Sequence, residues 1–105
     1  MGAELGEAVM SYGRCVMYTY SGNIQDLIKR AREGILPIFK QQPGFIAYGV
    51  VVQGDNLVSM SAWNSESDAK GADEAAKDWV SKNAAEMKVV SSVMGDYAWL
   101  EFAQQ

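Results

Sequence analysis

FIAYGVVVQGDNLVSMSAW, residues 45–63, is the stretch whose reading decides the fold. Phe45 to Val52 is an almost unbroken run of apolar and β-branched residues, and Leu57 to Trp63 is a second one. Both compositions favour extended backbone. Gly54-Asp55-Asn56 lies between them and supplies the chemistry of a tight reversal, so the two runs pair as an antiparallel hairpin.

Downstream of the hairpin, Ser65 is placed to cap a helix, with Asp68 completing a capping box. Ala69, Ala72, Ala76, Trp79, Val80, Asn83 and Met87 recur at helical spacing and mark its inner stripe. The charged residues from Asp73 to Lys88 read as the solvated side of that helix. A last strand is expected over Val89 to Phe102, with a bulge at Gly95-Asp96.

Upstream, Gln41-Gln42-Pro43-Gly44 is turn chemistry. Ile24, Leu27, Ile28, Ala31 and Ile35 form the apolar face of an earlier helix, which Asn23 can cap with Asp26 three residues on. Pro37 predicts a kink in that helix, or its end, near Leu36, because it lacks a donor and crowds the preceding turn. YGRCVMYTY, residues 12–20, reads as the first strand, and residues 1–11 as a flexible arm ahead of a single domain over 12–105.

The order is β-α-β-β-α-β, which predicts an α+β, ferredoxin-like domain: an antiparallel four-stranded sheet with two helices on one face. Such a sheet should carry polar residues on its other side. Here both parities are apolar. Val16, Tyr18 and Tyr20 alternate with Cys15 and Met17, and Ile46, Tyr48, Val50 and Val52 alternate with Phe45, Ala47 and Val51. Helices cover one face only, so the other predicts a homodimer formed sheet against sheet.

Composition narrows the function. The 105 residues carry nine basic and thirteen acidic side chains, a formal charge of −4, without a basic cluster. Nucleic acid and anionic membrane are therefore not expected partners. Residues 1–10 lack the features of a secretory leader, and no apolar run approaches a membrane span, so a cytoplasmic protein is expected. The single cysteine, Cys15, forms no disulfide within the chain and is expected as a buried, inert thiol. The chain contains no histidine, which removes the commonest general base and the commonest metal and haem ligand. No metal site is expected.

Pro43-Gly44-Phe45 at the head of the second strand, the hairpin ending in Trp63, and the run Trp63-Asn-Ser-Glu-Ser-Asp-Ala69 resemble the antibiotic biosynthesis monooxygenase-like group of dimeric α/β barrels. The resemblance spans Tyr12 to Phe102. It implies two sheets closed face to face into a barrel, each with a pocket between sheet and helices. Some proteins of this group oxidise polyphenolic substrates with oxygen and no cofactor, and others degrade haem. The haem-degrading members place a histidine on the second helix near the positions of Asp73 or Ala76. Quorum-signal-processing members also use histidine. With none in this chain, the resemblance implies cofactor-independent oxygenation of a small phenolic or quinol-like compound. The alternative is a non-catalytic dimer that binds a small aromatic or apolar molecule or serves as a stress-associated accessory protein.

The candidate site residues each carry two readings. Trp63 shares a strand face with Ser59 and Ser61, which leave room for a flat ligand; it is either a pocket wall or a core anchor. Asn64 either donates to a ligand oxygen or serves the turn before the helix. Tyr18 and Tyr48 either hold an aromatic ligand or satisfy their hydroxyls within the protein. Arg14, among apolar neighbours, either stabilises an anionic oxygen or bridges the dimer. Asp96 is either a proton acceptor with a raised pKa or a solvated rim carboxylate.

Overall fold

In the computed structural model, which describes residues 11–103, six elements follow in the expected order. They are β1 (Tyr12–Thr19), α1 (Ile24–Gln41), β2 (Phe45–Gln53), β3 (Asn56–Trp63), α2 (Glu66–Asn83) and β4 (Lys88–Asp96). The strands form one antiparallel sheet in the order β2-β3-β1-β4, the ferredoxin-like arrangement. Apart from Ser11, the expected arm over residues 1–11 lies outside the described residues.

The local signals act as their chemistry dictates. The Asn23 side chain accepts from the Asp26 N–H, and Ser65 accepts from the Asp68 N–H, so each helix starts on a capped donor. The β2–β3 hairpin closes through Gly54 at φ +59°, beyond the Gln53–Asn56 pair. Gly44 at φ +77° turns the chain into β2 against the Asp68 carboxylate, where a Cβ would collide. Its carbonyl accepts from the Asn64 N–H at 2.9 Å, tying the two ends of the hairpin together.

The core lies between the helices and one sheet face. Val16 and Tyr18 of β1, Leu57 and Trp63 of β3, Leu27, Ile35 and Phe39 of α1, and Trp79 of α2 are buried there. Ala69, Ala72 and Ala76 are small enough to bring α2 close to the sheet. Phe39 packs against Tyr48 at 4.5 Å between ring centroids and edge-on to Trp63 at 5.3 Å.

Four expectations are corrected. Helix α1 does not stop near Leu36; it runs through Pro37 to Gln41. The ring forfeits one bond, to the Glu33 carbonyl, while the turn beyond it buries Phe39 completely in the aromatic cluster. The last strand ends at Asp96 and does not reach Phe102. Asp96 pairs with Tyr12, the first residue of β1, so the chain beyond it has no strand to pair with. Tyr97 instead lays its ring on Gly13, donates its N–H to the Ser11 carbonyl and its hydroxyl to the Ser61 carbonyl. The bulge lies at Val90, between the pairs Met17–Ser91 and Tyr18–Val89, and not at Gly95-Asp96. Cys15 is exposed, not buried, because its parity faces away from the helices.

That second face carries Cys15, Met17, Val51, Met60 and Val93, all exposed, with Val93 at 67%. Register brings them into two adjoining rows. Val51, Val58 and Met17 lie across one, and Met60, Cys15 and Val93 across the next.

Candidate functional site

Between the helices and the sheet lies a cavity of about 360 Å³, within the size range of small-molecule sites. Its floor is the helix-facing side of the sheet: Tyr18 of β1, Tyr48 of β2, and Leu57 and Ser59 of β3. Leu27, Ala31 and Ile35 of α1 form one wall, and Ala76 and Trp79 of α2 another. Arg32, Gly49 and Val50, all exposed, form its rim. The lining side chains that carry polar groups are Tyr18, Tyr48 and Ser59 on the floor, Trp79 with its indole N–H, and Arg32 at the rim; the rest are apolar.

Arg14 lies behind the three hydroxyls, 2% exposed. Strand alternation places it on the same face as Val16 and Tyr18. Its Nε donates to Oδ1 of Asp73 at 2.8 Å, and its terminal nitrogens reach Ser59 Oγ and the Tyr18 hydroxyl at 3.5 Å each. The guanidinium also stands over the Phe39 ring, 5.7 Å from its centroid. The cation therefore polarises two hydroxyls of the floor while being held from behind by a carboxylate.

The titration of these groups follows from that arrangement. Burial pushes the Tyr48 hydroxyl above its ordinary pKa, against the opposing pull of its Ser59 hydrogen bond and the Arg14 charge, so it stays a proton donor at neutral pH. Burial would raise Asp73 too. Hydrogen bonds from Arg14 and Lys77, and their charges, outweigh it and hold Asp73 below the usual carboxylate range.

Of the residues singled out from sequence, Tyr18, Tyr48 and Ser59 meet at the cavity floor. Ser61 is buried beside it and accepts from the Trp63 indole N–H at 2.9 Å. Trp63 is fully buried among Phe39 and Phe45 and does not line the cavity. Asn64 is exposed and contributes its backbone N–H to the turn at Gly44. Asp96 is exposed opposite Tyr12, six residues along β1 from Tyr18, or about 20 Å at the rise of a strand. Arg14 and Asp96 therefore do not share a cavity. The ion pair of Arg14 is made within the chain, to Asp73, and Asp73 is correspondingly half-buried and not part of a solvated helix face.

Trp79, Met87 and Arg32 also line the cavity, and the sequence reading missed them as site residues. Trp79 had been legible only as core stripe. Arg32 sits one turn from Ile28 and Ile35 on the apolar face of α1, and that adjacency was the available signal. Among the described residues no group of three or more carboxylate, thiol or imidazole side chains is placed to hold a metal ion. No helix among the described residues is long and apolar enough to cross a membrane.

No protein-family model matches the sequence, and no curated protein matches it closely enough to count as a relative. Solved structures do share its architecture. The monooxygenase of the ActVA-Orf6 gene of Streptomyces coelicolor, in complex with Nanaomycin D, superposes with a TM-score of 0.69 at 16% identity, over 96% of this chain and 99% of that one. SnoaB, a cofactor-independent oxygenase from Streptomyces nogalater, gives 0.68 at 14% identity, over 90% and 94%. A candidate antibiotic biosynthesis monooxygenase from Nitrosomonas europaea gives 0.70 at 16%, over 89% and 95%. The chain thus has the fold of the antibiotic biosynthesis monooxygenase-like structures.

Proposed function

We propose that the protein is a cofactor-independent monooxygenase of a small phenolic or quinol-like compound, working as a homodimer closed through the uncovered sheet face. The observation that carries the reading is the cavity, an apolar slot with three hydroxyl-bearing side chains on its floor. Tyr18, Tyr48 and Ser59 present hydroxyls there, with the Arg14 cation behind them. A flat aromatic ring suits the walls, and a phenolic oxygen suits the floor. Hydrogen bonds from the floor and the field of Arg14 stabilise the phenolate over the phenol. The phenolate ring is electron-rich enough to reduce oxygen directly. One oxygen atom bonds to the ring carbon para to the phenol, and the other leaves as water with two substrate hydrogens. The product is the quinone, and the substrate supplies all four electrons, so the balance requires no other reductant. With Asp96 remote from the cavity, the phenolic proton leaves to solvent through the rim.

The fold supports this reading, since two of the structures that share it are described as a monooxygenase and a cofactor-independent oxygenase. The dimer is supported by the exposed rows around Met60 and Val93, which a second sheet would cover. Oxygen uptake across a panel of phenols and naphthols whose para carbon carries hydrogen, with hydrogen peroxide assayed in parallel and expected to be absent, tests the function. The expected result is uptake of one oxygen per quinone formed, reduced at least tenfold in Ser59→Ala and Tyr48→Phe; uptake indifferent to both substitutions overturns it.

A second reading has its own support. No carboxylate or thiol lines the cavity, so no conventional proton acceptor faces a ligand. A dimer that binds a small aromatic molecule without converting it, as a carrier or stress-associated accessory, fits that lining. Native mass spectrometry separates the two: a ligand released unchanged after aerobic incubation favours the carrier, and an oxygenated one the enzyme.

A further inference from the structure

We propose that Arg32 sets the specificity of the cavity, selecting flat phenolic ligands that carry a carboxylate at the end remote from the phenol. The proposal rests on the reading of the cavity as a ligand site and adds the class of ligand it takes.

The cavity has two polar poles. One is the buried floor of Tyr18, Tyr48 and Ser59 on the sheet. The other is Arg32 on α1, exposed at the rim and the only charged side chain in the lining. The rest of the lining is apolar, Leu27, Ile35, Leu57 and Ala76 among it, apart from the single indole N–H of Trp79. A ligand matched to this surface has a hydroxyl at one end, a flat apolar body, and an anion at the other.

Nothing on its own helix competes for the Arg32 charge. The positions three and four residues away are Ile28, Lys29, Ile35 and Leu36, none of them a carboxylate. Arg32 takes part in none of the ion pairs formed among the described residues. Its fork of donors fits a carboxylate with two parallel hydrogen bonds, and the apolar walls beside it exclude water from one side of such a pair. The three floor hydroxyls, by contrast, suit one oxygen, which fixes the direction in which the ligand enters.

The test uses a hydroxynaphthoic acid with its hydroxyl and carboxyl on opposite rings, alongside its methyl ester, by fluorescence titration at neutral pH. The wild type is expected to prefer the acid, and raised salt to narrow that preference. Arg32→Gln is expected to lower acid affinity about tenfold and leave ester affinity unchanged. Arg32→Lys, which keeps the charge without the fork, is expected to retain part of the preference. Equal loss for acid and ester, or a preference that survives Arg32→Gln, overturns the role of Arg32 while leaving the cavity as a ligand site. Binding of neither compound, with the protein folded, overturns the cavity reading and this proposal together.

Discussion

The Nε of Arg14 donates to Oδ1 of Asp73 at 2.8 Å, joining the first half of β1 to the middle of α2 behind the cavity floor. The Arg14 side chain is 1% exposed, so its charge cannot turn to water if Asp73 is removed, whereas Asp73, 13% exposed, also pairs with Lys77. Asp73→Ala is therefore expected to cost about 3 kcal/mol in denaturant unfolding, since it strands a buried guanidinium. The apolar pair Arg14→Met with Asp73→Leu is expected to recover most of that stability while abolishing the electrostatic role of the floor. Recovery of activity along with stability would show that Arg14 is purely structural.

The same carboxylate predicts an acid limit. Arg14 and Lys77 depress the Asp73 pKa in the folded state below the ordinary 3.8. Its contribution to stability is then complete above that ordinary value, and it is lost as pH falls through the lower folded one. Unfolding free energy measured between neutral pH and strongly acid solution should show this loss in the wild type. Asp73→Asn should flatten that part of the profile; an unchanged profile would mean that other carboxylates set the acid limit.

Gly34 is a second relationship with a clear sign. An added Cβ there meets the Trp79 indole, with Cε2 at 2.9 Å, and Trp79 is both buried and a wall of the cavity. Gly→Ala within a helix ordinarily stabilises by about 0.5–1 kcal/mol. Here the added Cβ overlaps the indole, which must shift out of its packed position, so Gly34→Ala is expected to destabilise by about 1–3 kcal/mol. The shift of Trp79 should also weaken binding in the cavity. A rise in melting temperature would show that the indole moves at no cost.

The proposed dimer predicts that the second sheet face governs assembly. Met60 and Val93 flank Cys15 in one row of it. Met60→Lys with Val93→Lys puts two like charges into each half of a self-paired surface, where they would be desolvated and repel. Sedimentation equilibrium should find a wild-type dimer and a monomeric variant. A wild-type monomer would remove the dimer and leave those apolar rows unexplained.

How far the sequence carried the reading depended on the range of the signal. Caps, hairpin and strand parity are set by neighbours in the chain, and Asn23, Ser65 and Gly54 did what their chemistry requires. Pro37 misled because tertiary burial of Phe39 outweighed a local helix-breaking signal. The end of β4 was hidden because it is set by where β1 begins, a pairing no local composition reports. The cavity was half legible. Parity put Tyr18, Tyr48 and Ser59 on one face, but Trp63 on that same face was taken by the core. Asp73 looked solvated because its helix is charged all along one side, and only the approach of α2 to β1 reveals its partner.

Tyr48 offers the most direct probe of the cavity floor. Its hydroxyl is pushed above the ordinary tyrosine pKa by burial, and its ring packs on Phe39. Tyr48→Phe keeps that packing and removes only the hydroxyl, so stability should change by no more than about 1 kcal/mol. Affinity for a phenolic ligand should fall roughly tenfold, while affinity for the same ring without its hydroxyl should hold or rise. In the wild type, phenol binding should persist at alkaline pH to the point where Tyr48 itself ionises, because the raised pKa keeps the donor protonated beyond the ordinary tyrosine range. Calorimetric titration of the ligand pair against both proteins, repeated across that pH range, checks each part. Equal losses for the two ligands would place the bound ring elsewhere than over Tyr48, and the orientation of the phenol toward the sheet would have to be abandoned.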